Sequence, residues 1–299
     1  VMATVGMVAS LAVGCGGSSE DTSAEGGDAA AEGSSDWDSS MDITIVSRED
    51  GSGTRGAFIE LFGIEEEVDG EKVDMTTEEA QITNSTSVML TTVAGDDYAI
   101  GYVSLGSLDD SVKALKIDGA EATAENIKSG DYKVSRPFNI ATKTDMNNPT
   151  AEDFISFIMS QEGQDVVAEE GYIPLDGAEA YAGDAPAGKV VVGGSSSVSP
   201  VMEKLIEAYA EVNPDAEIEL QTTDSTTGME SAISGAYDIG MASREVKEDE
   251  LSAGLEAQVI ATDGIAVVVN NNNPTDELTS DQVKSIYTGE ALTWDEVVE

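Results

Sequence analysis

Three loops in this 299-residue chain gather serine, threonine and glycine just ahead of helical stretches. The first is Val46-Ser47-Arg48-Glu49-Asp50-Gly51-Ser52-Gly53-Thr54-Arg55-Gly56-Ala57-Phe58. The second is Gly193-Gly194-Ser195-Ser196-Ser197-Val198-Ser199-Pro200, with a proline where a helix start loses no hydrogen bond. The third is Asp224-Ser225-Thr226-Thr227-Gly228-Met229. A dehydrated oxyanion needs such groups: backbone N–H and hydroxyl donors to replace its water, the positive end of a helix dipole, and a guanidinium fork. Arg48 and Arg244 can supply forks. Taken singly, each loop reads first as an N-cap and each arginine as a surface ion pair. Only convergence of all three would make an anion site. Other chemistry is scarce. Without histidine there is no Ser-His or Cys-His nucleophile, and the single Cys15 excludes an internal disulfide and a thiolate zinc site. No cofactor and no metal is expected.

The elements that must carry these loops follow from the pattern around them. Strands are predicted at Ile43–Ser47, Ile100–Leu105, Lys189–Val192, Ile218–Gln221, Val259–Ile260 and Ile265–Asn270. Helices are predicted at Arg55–Phe62, Ser85–Val93, Ala151–Ser160, Pro200–Val212, Gly228–Ser234 and Ser280–Tyr287. Their alternation predicts an α/β fold with mostly parallel sheets. A turn-rich stretch, Gly183–Gly188, marks a weak boundary. Upstream, residues 1–14 are apolar, small and uncharged, too short to span a bilayer as a helix, and end at Cys15. They read as a lipoprotein signal with Cys15 as the lipidated residue, although Ala12 stands where leucine is usual and no basic residue precedes the run. Residues 16–41 read as a disordered acidic tether. With 59 Asp and Glu against 14 Lys and Arg, a net charge of −45, the chain is a poor partner for nucleic acid or an anionic membrane surface.

Four segments carry a resemblance to a known family. They are Ser47–Arg55, Gly193–Pro200, Asp238-Ile239-Gly240-Met241-Ala242-Ser243-Arg244-Glu245, and Ile286–Glu290 followed by Thr293-Trp294. With Ala99–Gly106 they resemble the PstS family of phosphate-binding proteins of ABC transporters, over nearly everything from Asp42 onward. The resemblance implies a two-lobed, periplasmic-binding-protein-like (type II) fold with a hinge and a central cleft. It implies a protein that captures inorganic phosphate outside the cytoplasm and passes it to permease subunits. Such a protein is not an enzyme; it is a monomer touching the membrane only through its lipid anchor. The phosphate ligands it implies are Arg48, Ser52, Gly53, Thr54, Ser196, Ser197 and Ser225, with Asp50 orienting Arg48; Ser243 and Arg244 are candidate ligands beside them.

Two features depart from the family pattern. Where members carry a carboxylate that accepts the phosphate proton, in an Ala-Ser-Asp sequence, this chain has Ala242-Ser243-Arg244. Asp263, beside Gly264, is the substitute candidate. The order is also exchanged: the Arg48 half precedes the Ser196 half, as in a circular permutation. One lobe would then be residues 42–137 plus 267–299, and the other residues 138–266. Two readings stay open beside this one: a binding protein for another oxyanion, such as sulfate or molybdate, and, less favoured, a phosphoryl-handling enzyme.

Overall fold

Runs of valine and isoleucine form the strands here, and stretches with apolar residues three and four apart form the helices covering them. The computed structural model describes residues 37–298. In chain order it contains β1 (Thr44–Arg48), α1 (Gly53–Leu61), β2 (Glu65–Val68), β3 (Glu71–Asp74), β4 (Gln81–Thr83), α2 (Thr86–Ala94) and β5 (Ala99–Ser104). Then come β6 (Val112–Ala114), β7 (Lys116–Ile117), α3 (Ala124–Ser129), β8 (Ser135–Lys143), α4 (Pro149–Ile158) and α5 (Gln161–Glu169). The remainder is β9 (Gly188–Ser195), α6 (Ser199–Val212), β10 (Ala216–Thr223), α7 (Ser225–Ser234), β11 (Ile239–Ala242), α8 (Glu248–Ser252), β12 (Leu255–Asn270), β13 (Glu277–Leu278) and α9 (Ser280–Tyr287).

The main sheet runs β10-β9-β11-β8-β12-β5-β1-β4, with β6 also on β12. Its flanks are parallel, β10 on β9 on β11 and β4 on β1 on β5. Its middle is antiparallel, β11 on β8 on β12 on β5. The sheet is therefore mixed, which corrects the expectation of mostly parallel pairing. The strand that sequence reading left out, β8, causes this. It carries Pro137 and few β-branched residues, yet nine of its positions pair along β12. Pairing with β8 also joins two predicted runs, Val259–Ile260 and Ile265–Asn270, into one 16-residue strand.

Apolar side chains form two large cores. One draws on residues 43–134 and 265–297, around Phe58, Tyr102, Tyr287 and Trp294. Phe58 stacks on Tyr102 with ring centroids 3.9 Å apart. The other draws on residues 138–261, around Phe138, Phe154, Phe157 and Tyr209. Ile265 and Ala266 belong to the first core, not to the segment 138–266 in which they were expected. Each large side chain so buried contributes about 1.5–3 kcal/mol. The antiparallel pair β8/β12 crosses from one core to the other, between Val134, just ahead of β8, and Phe138 on the one side and Ala261 and Ile265 on the other.

Two boundaries differ from expectation. Residues 37–41 belong to the fold, because Trp37 stacks on Tyr98 at 4.6 Å and Asp295 N–H donates to Ser39 O at 2.7 Å. They are thus not tether; Cys15 and residues 16–36 lie outside the described residues. The stretch Gly183–Gly188 is no domain boundary. It is pinned to the second core, where Asp184 N–H donates to Asp153 Oδ1 at 3.0 Å and Asn213 Nδ2 donates to Pro186 O at 3.1 Å. Among the described residues no helix is long and apolar enough to cross a membrane.

Candidate functional site

Four helices begin at one place. Helix α1 starts at Gly53 behind Ser52, whose Oγ accepts from Arg55 N–H at 3.3 Å. Helix α2 starts at Thr86 behind Ser85, and α7 at Ser225 behind Asp224, whose carboxylate accepts from Thr227 N–H. Helix α6 starts at Ser199, behind Val198 and the run Ser195-Ser196-Ser197. Strand ends aim these starts at one another. The φ of +141° at Gly194 admits glycine readily, and a Cβ there would collide with Met241 O of the adjoining β11. Gly228 on α7 lets that helix lie flush on the same spot, since a Cβ on it would sit 2.7 Å from Gly194 Cα.

The side chains at these starts touch across the two cores. Thr54 Oγ1 and Ser197 Oγ are 2.8 Å apart, and Thr86 Oγ1 lies 3.3 Å from Ser196 Oγ and 3.2 Å from Ser197 Oγ. Arg48 donates through Nη2 to Ser196 Oγ at 3.1 Å and through Nη1 to Thr86 Oγ1 at 3.4 Å. Ser243 receives Ser195 Oγ at 2.9 Å, and its own N–H donates to Ser225 Oγ at 3.1 Å. Gly53 closes this side: a Cβ there would strike Ser225 Oγ and come within 2.8 Å of Ser243 Oγ. All these residues are buried. Beside them opens a cavity of about 340 Å³, lined by Ser85, Thr86, Ser87, Ser107, Ser196 and Pro200 among others. The arrangement is a buried cluster of hydroxyl donors and Arg48 under four positive helix ends. The hydroxyls now satisfy one another; an oxyanion would exchange those contacts for its own oxygens.

Each guanidinium near the cluster has its own carboxylate. Glu49 takes Arg48 through Nε at 2.8 Å and Nη2 at 2.7 Å. Asp50, expected in that role, points away. Its side chain is 98 % exposed and pairs with Arg55, which in turn donates to Arg48 O at 2.7 Å. The reason is local: in the turn after β1 the side chain next to Arg48 lies alongside it, while the following one faces solvent. Arg244 is buried beside Gly53, but its fork is taken by Glu250 at 2.9 and 2.7 Å. Its stem, not its charge, faces the cluster.

Asp263 lies off the cluster. It accepts from Ser104 Oγ at 2.9 Å and from Arg136 Nη2 at 3.0 Å. Burial pushes its carboxyl up to about 6, against the opposing pull of Arg136 and Ser104. The structure therefore brings together Arg48, Ser52, Gly53, Thr54, Ser196, Ser197, Ser225 and Ser243. It leaves Asp50 and Asp263 outside. Thr86, Glu49, Glu250 and Arg136 went unread. Thr86 was findable, since Asn84-Ser85-Thr86-Ser87 is a fourth Ser/Thr-rich helix start. Among the described residues no cluster of three or more acidic, cysteine or histidine side chains could hold a metal.

A two-cored α/β chain with a donor-lined cleft has the form of a solute-binding protein of the periplasmic-binding kind. The family model described as PBP superfamily domain matches residues 29–162 and 179–298. "Phosphate-binding protein PstS 2" of Streptococcus agalactiae is 60 % identical over 256 residues, 85 % of this chain and 87 % of the relative. The protein of the same name from Streptococcus pneumoniae is 43 % identical over the same shares. A crystal structure of a phosphate-binding protein of a phosphate ABC transporter from S. pneumoniae superposes with a TM-score of 0.68. That match has 42 % identity and covers 86 % of this chain and all of the other. The chain belongs to the PBP superfamily and, within it, to the family of PstS proteins.

Proposed function

We propose that this chain captures one inorganic phosphate ion in the cleft between its two cores and hands it, untransformed, to the permease of an ABC transporter. The observation that carries this reading is the convergence of four helix starts and Arg48 on hydroxyls contributed by both cores. The names of the S. agalactiae and S. pneumoniae relatives support phosphate as the ion. The ligands are Arg48, Ser52, Gly53, Thr54, Ser196, Ser197, Ser225 and Ser243, with Thr86 added and Arg244 contributing its stem. Opening and closing turns on the β8/β12 crossing, between a lobe of residues 42–137 plus 267–299 and a lobe of residues 138–266, displaced by two residues at Ile265. The protein works as a monomer outside the cytoplasm, held to the membrane by a lipid on Cys15.

Titration calorimetry on residues 36–299 tests the reading. One phosphate should bind per chain, with little dependence on salt. The ligands act at hydrogen-bond range, whereas exposed acids are screened beyond about 8 Å at physiological ionic strength. Equal affinity for sulfate would turn the reading toward a general oxyanion binder, and no binding of either ion would end it.

A further inference from the structure

Arg136 and Asp263 face each other across the β8/β12 ladder where those strands pass from one core to the other. Both side chains are buried, at 2 % and 0 % exposure. The pair is tied to the anion cluster through β5. Tyr102 and Ser104 lie two residues apart and so on one face of that strand. The Tyr102 hydroxyl accepts from Arg48 N–H at 3.2 Å, while Ser104 Oγ donates to Asp263. Just beyond, Ser107 lines the same cavity as Thr86 and Ser196. Unlike Arg48 and Arg244, Arg136 keeps a buried N–H, on Nη1, without a partner among the described residues.

We propose that Arg136 and Asp263 are positioning residues whose pairing sets the charge felt by a bound phosphate, so that capture is linked to proton uptake on Asp263. This rests on the phosphate reading above. While Asp263 is ionised, the pair is neutral, as are Arg48–Glu49 and Arg244–Glu250, and the anion meets mainly dipoles and hydroxyls. Once Asp263 takes a proton, Arg136 is left as an uncompensated cation within reach of the field of Arg48, which borders the cluster. The remaining groups around Asp263 do not replace that switch. Tyr132 and Tyr172 are phenols held far above the neutral range, chiefly by burial, and Arg48, from β1, is a fixed cation whose field reaches Arg136. Asp263 already titrates near 6.

The sign follows from reciprocity. An anion near the pair disfavours the Asp263 carboxylate, so binding raises its pKa; equally, protonating Asp263 tightens binding by the same factor. A rise of one pKa unit corresponds to about tenfold in affinity. The link is absent well below pH 6, where Asp263 is protonated in both forms, and fully opposed to binding well above it.

The experiment is calorimetric titration of inorganic phosphate into the wild type and Asp263→Asn at pH 5 and pH 8. Phosphate's own titration enters the affinity of both proteins, so the result is read as the ratio of the two affinities at each pH. Asp263→Asn should bind about tenfold tighter than wild type at pH 8 and nearly equally at pH 5. A ratio that does not change with pH, or a variant weaker at pH 8, overturns the inference while leaving phosphate binding standing. A wild type that binds no phosphate overturns both. Ser104→Ala guards against a misfolded asparagine variant. It removes a hydrogen bond that lowers the Asp263 pKa and should move the pH profile of binding upward. A profile that stays in place counts against the proposal.

Discussion

Arg48 shows how much of a binding residue's identity lies in geometry rather than charge. Its planar fork does two jobs at once: Glu49 fixes the Nε and Nη2 edge, Nη2 reaches Ser196 with its second proton, and Nη1 reaches Thr86 on a different element. Lysine keeps the charge but presents a single rotatable ammonium that cannot hold Glu49 in two places and still donate to both hydroxyls. Arg48→Lys should therefore resemble Arg48→Ala, losing about 2 kcal/mol or more of phosphate binding by calorimetry. Wild-type affinity in Arg48→Lys would remove this residue from the site. Motif reading placed Arg48 but misassigned its partner. Which of two adjacent acids folds back is settled by backbone direction after β1, and residue types do not encode that.

At the scale of elements, most helices and outer strands were legible because their signals are local. Helix α9 matches its predicted span, Ser280–Tyr287, since Thr279 and Gln282 form a capping box and Val283, Ile286 and Tyr287 share one buried face. Strand β8 and the full length of β12 were not legible, for they are defined by each other. The segment Ala261–Gly264 has no strand pattern of its own until Ser135–Phe138 lies beside it. Convergence of the helix starts was equally invisible, being a property of the sheet that aims them. That convergence makes a prediction at Gly53, the tightest contact between α1 and the Ser225 and Ser243 loops. Gly53→Ala should leave the melting temperature within a few degrees of wild type, because the two sides can part to admit the methyl. Phosphate affinity should fall at least about tenfold, as parting separates the donors by more than hydrogen-bond reach. Undiminished affinity would show that these loops do not close together on the ion.

At the scale of the molecule, chain order and three-dimensional arrangement separate. The segment Trp37–Ile43 runs beside the segment Leu292–Val298. Ile43 N–H donates to Leu292 O at 2.8 Å, Asp42 bridges to Thr293, and Trp37 sits edge-on to Trp294 at 5.9 Å. All belong with the core that carries Arg48. The alignment with the S. agalactiae relative spans 87 % of that protein, so this order is not peculiar to the present chain. Joining the residue after Val298 to Asp42 by a short linker, and opening the chain within Gly183–Gly188, would place the Ser196 half first. The loop closed and the loop opened both lie outside the donor cluster, and closure entropy changes only slowly with loop length. Phosphate affinity of the rearranged protein should thus stay within about threefold of the original. Its stability should fall modestly, because cutting Gly183–Gly188 frees the ends that Asp153 and Asn213 now hold through Asp184 and Pro186. Paired calorimetric and thermal-melting measurements check both statements. A rearranged chain that folds but no longer binds phosphate would mean that strain in one of these two loops, and not the β8/β12 crossing alone, sets how the cleft closes.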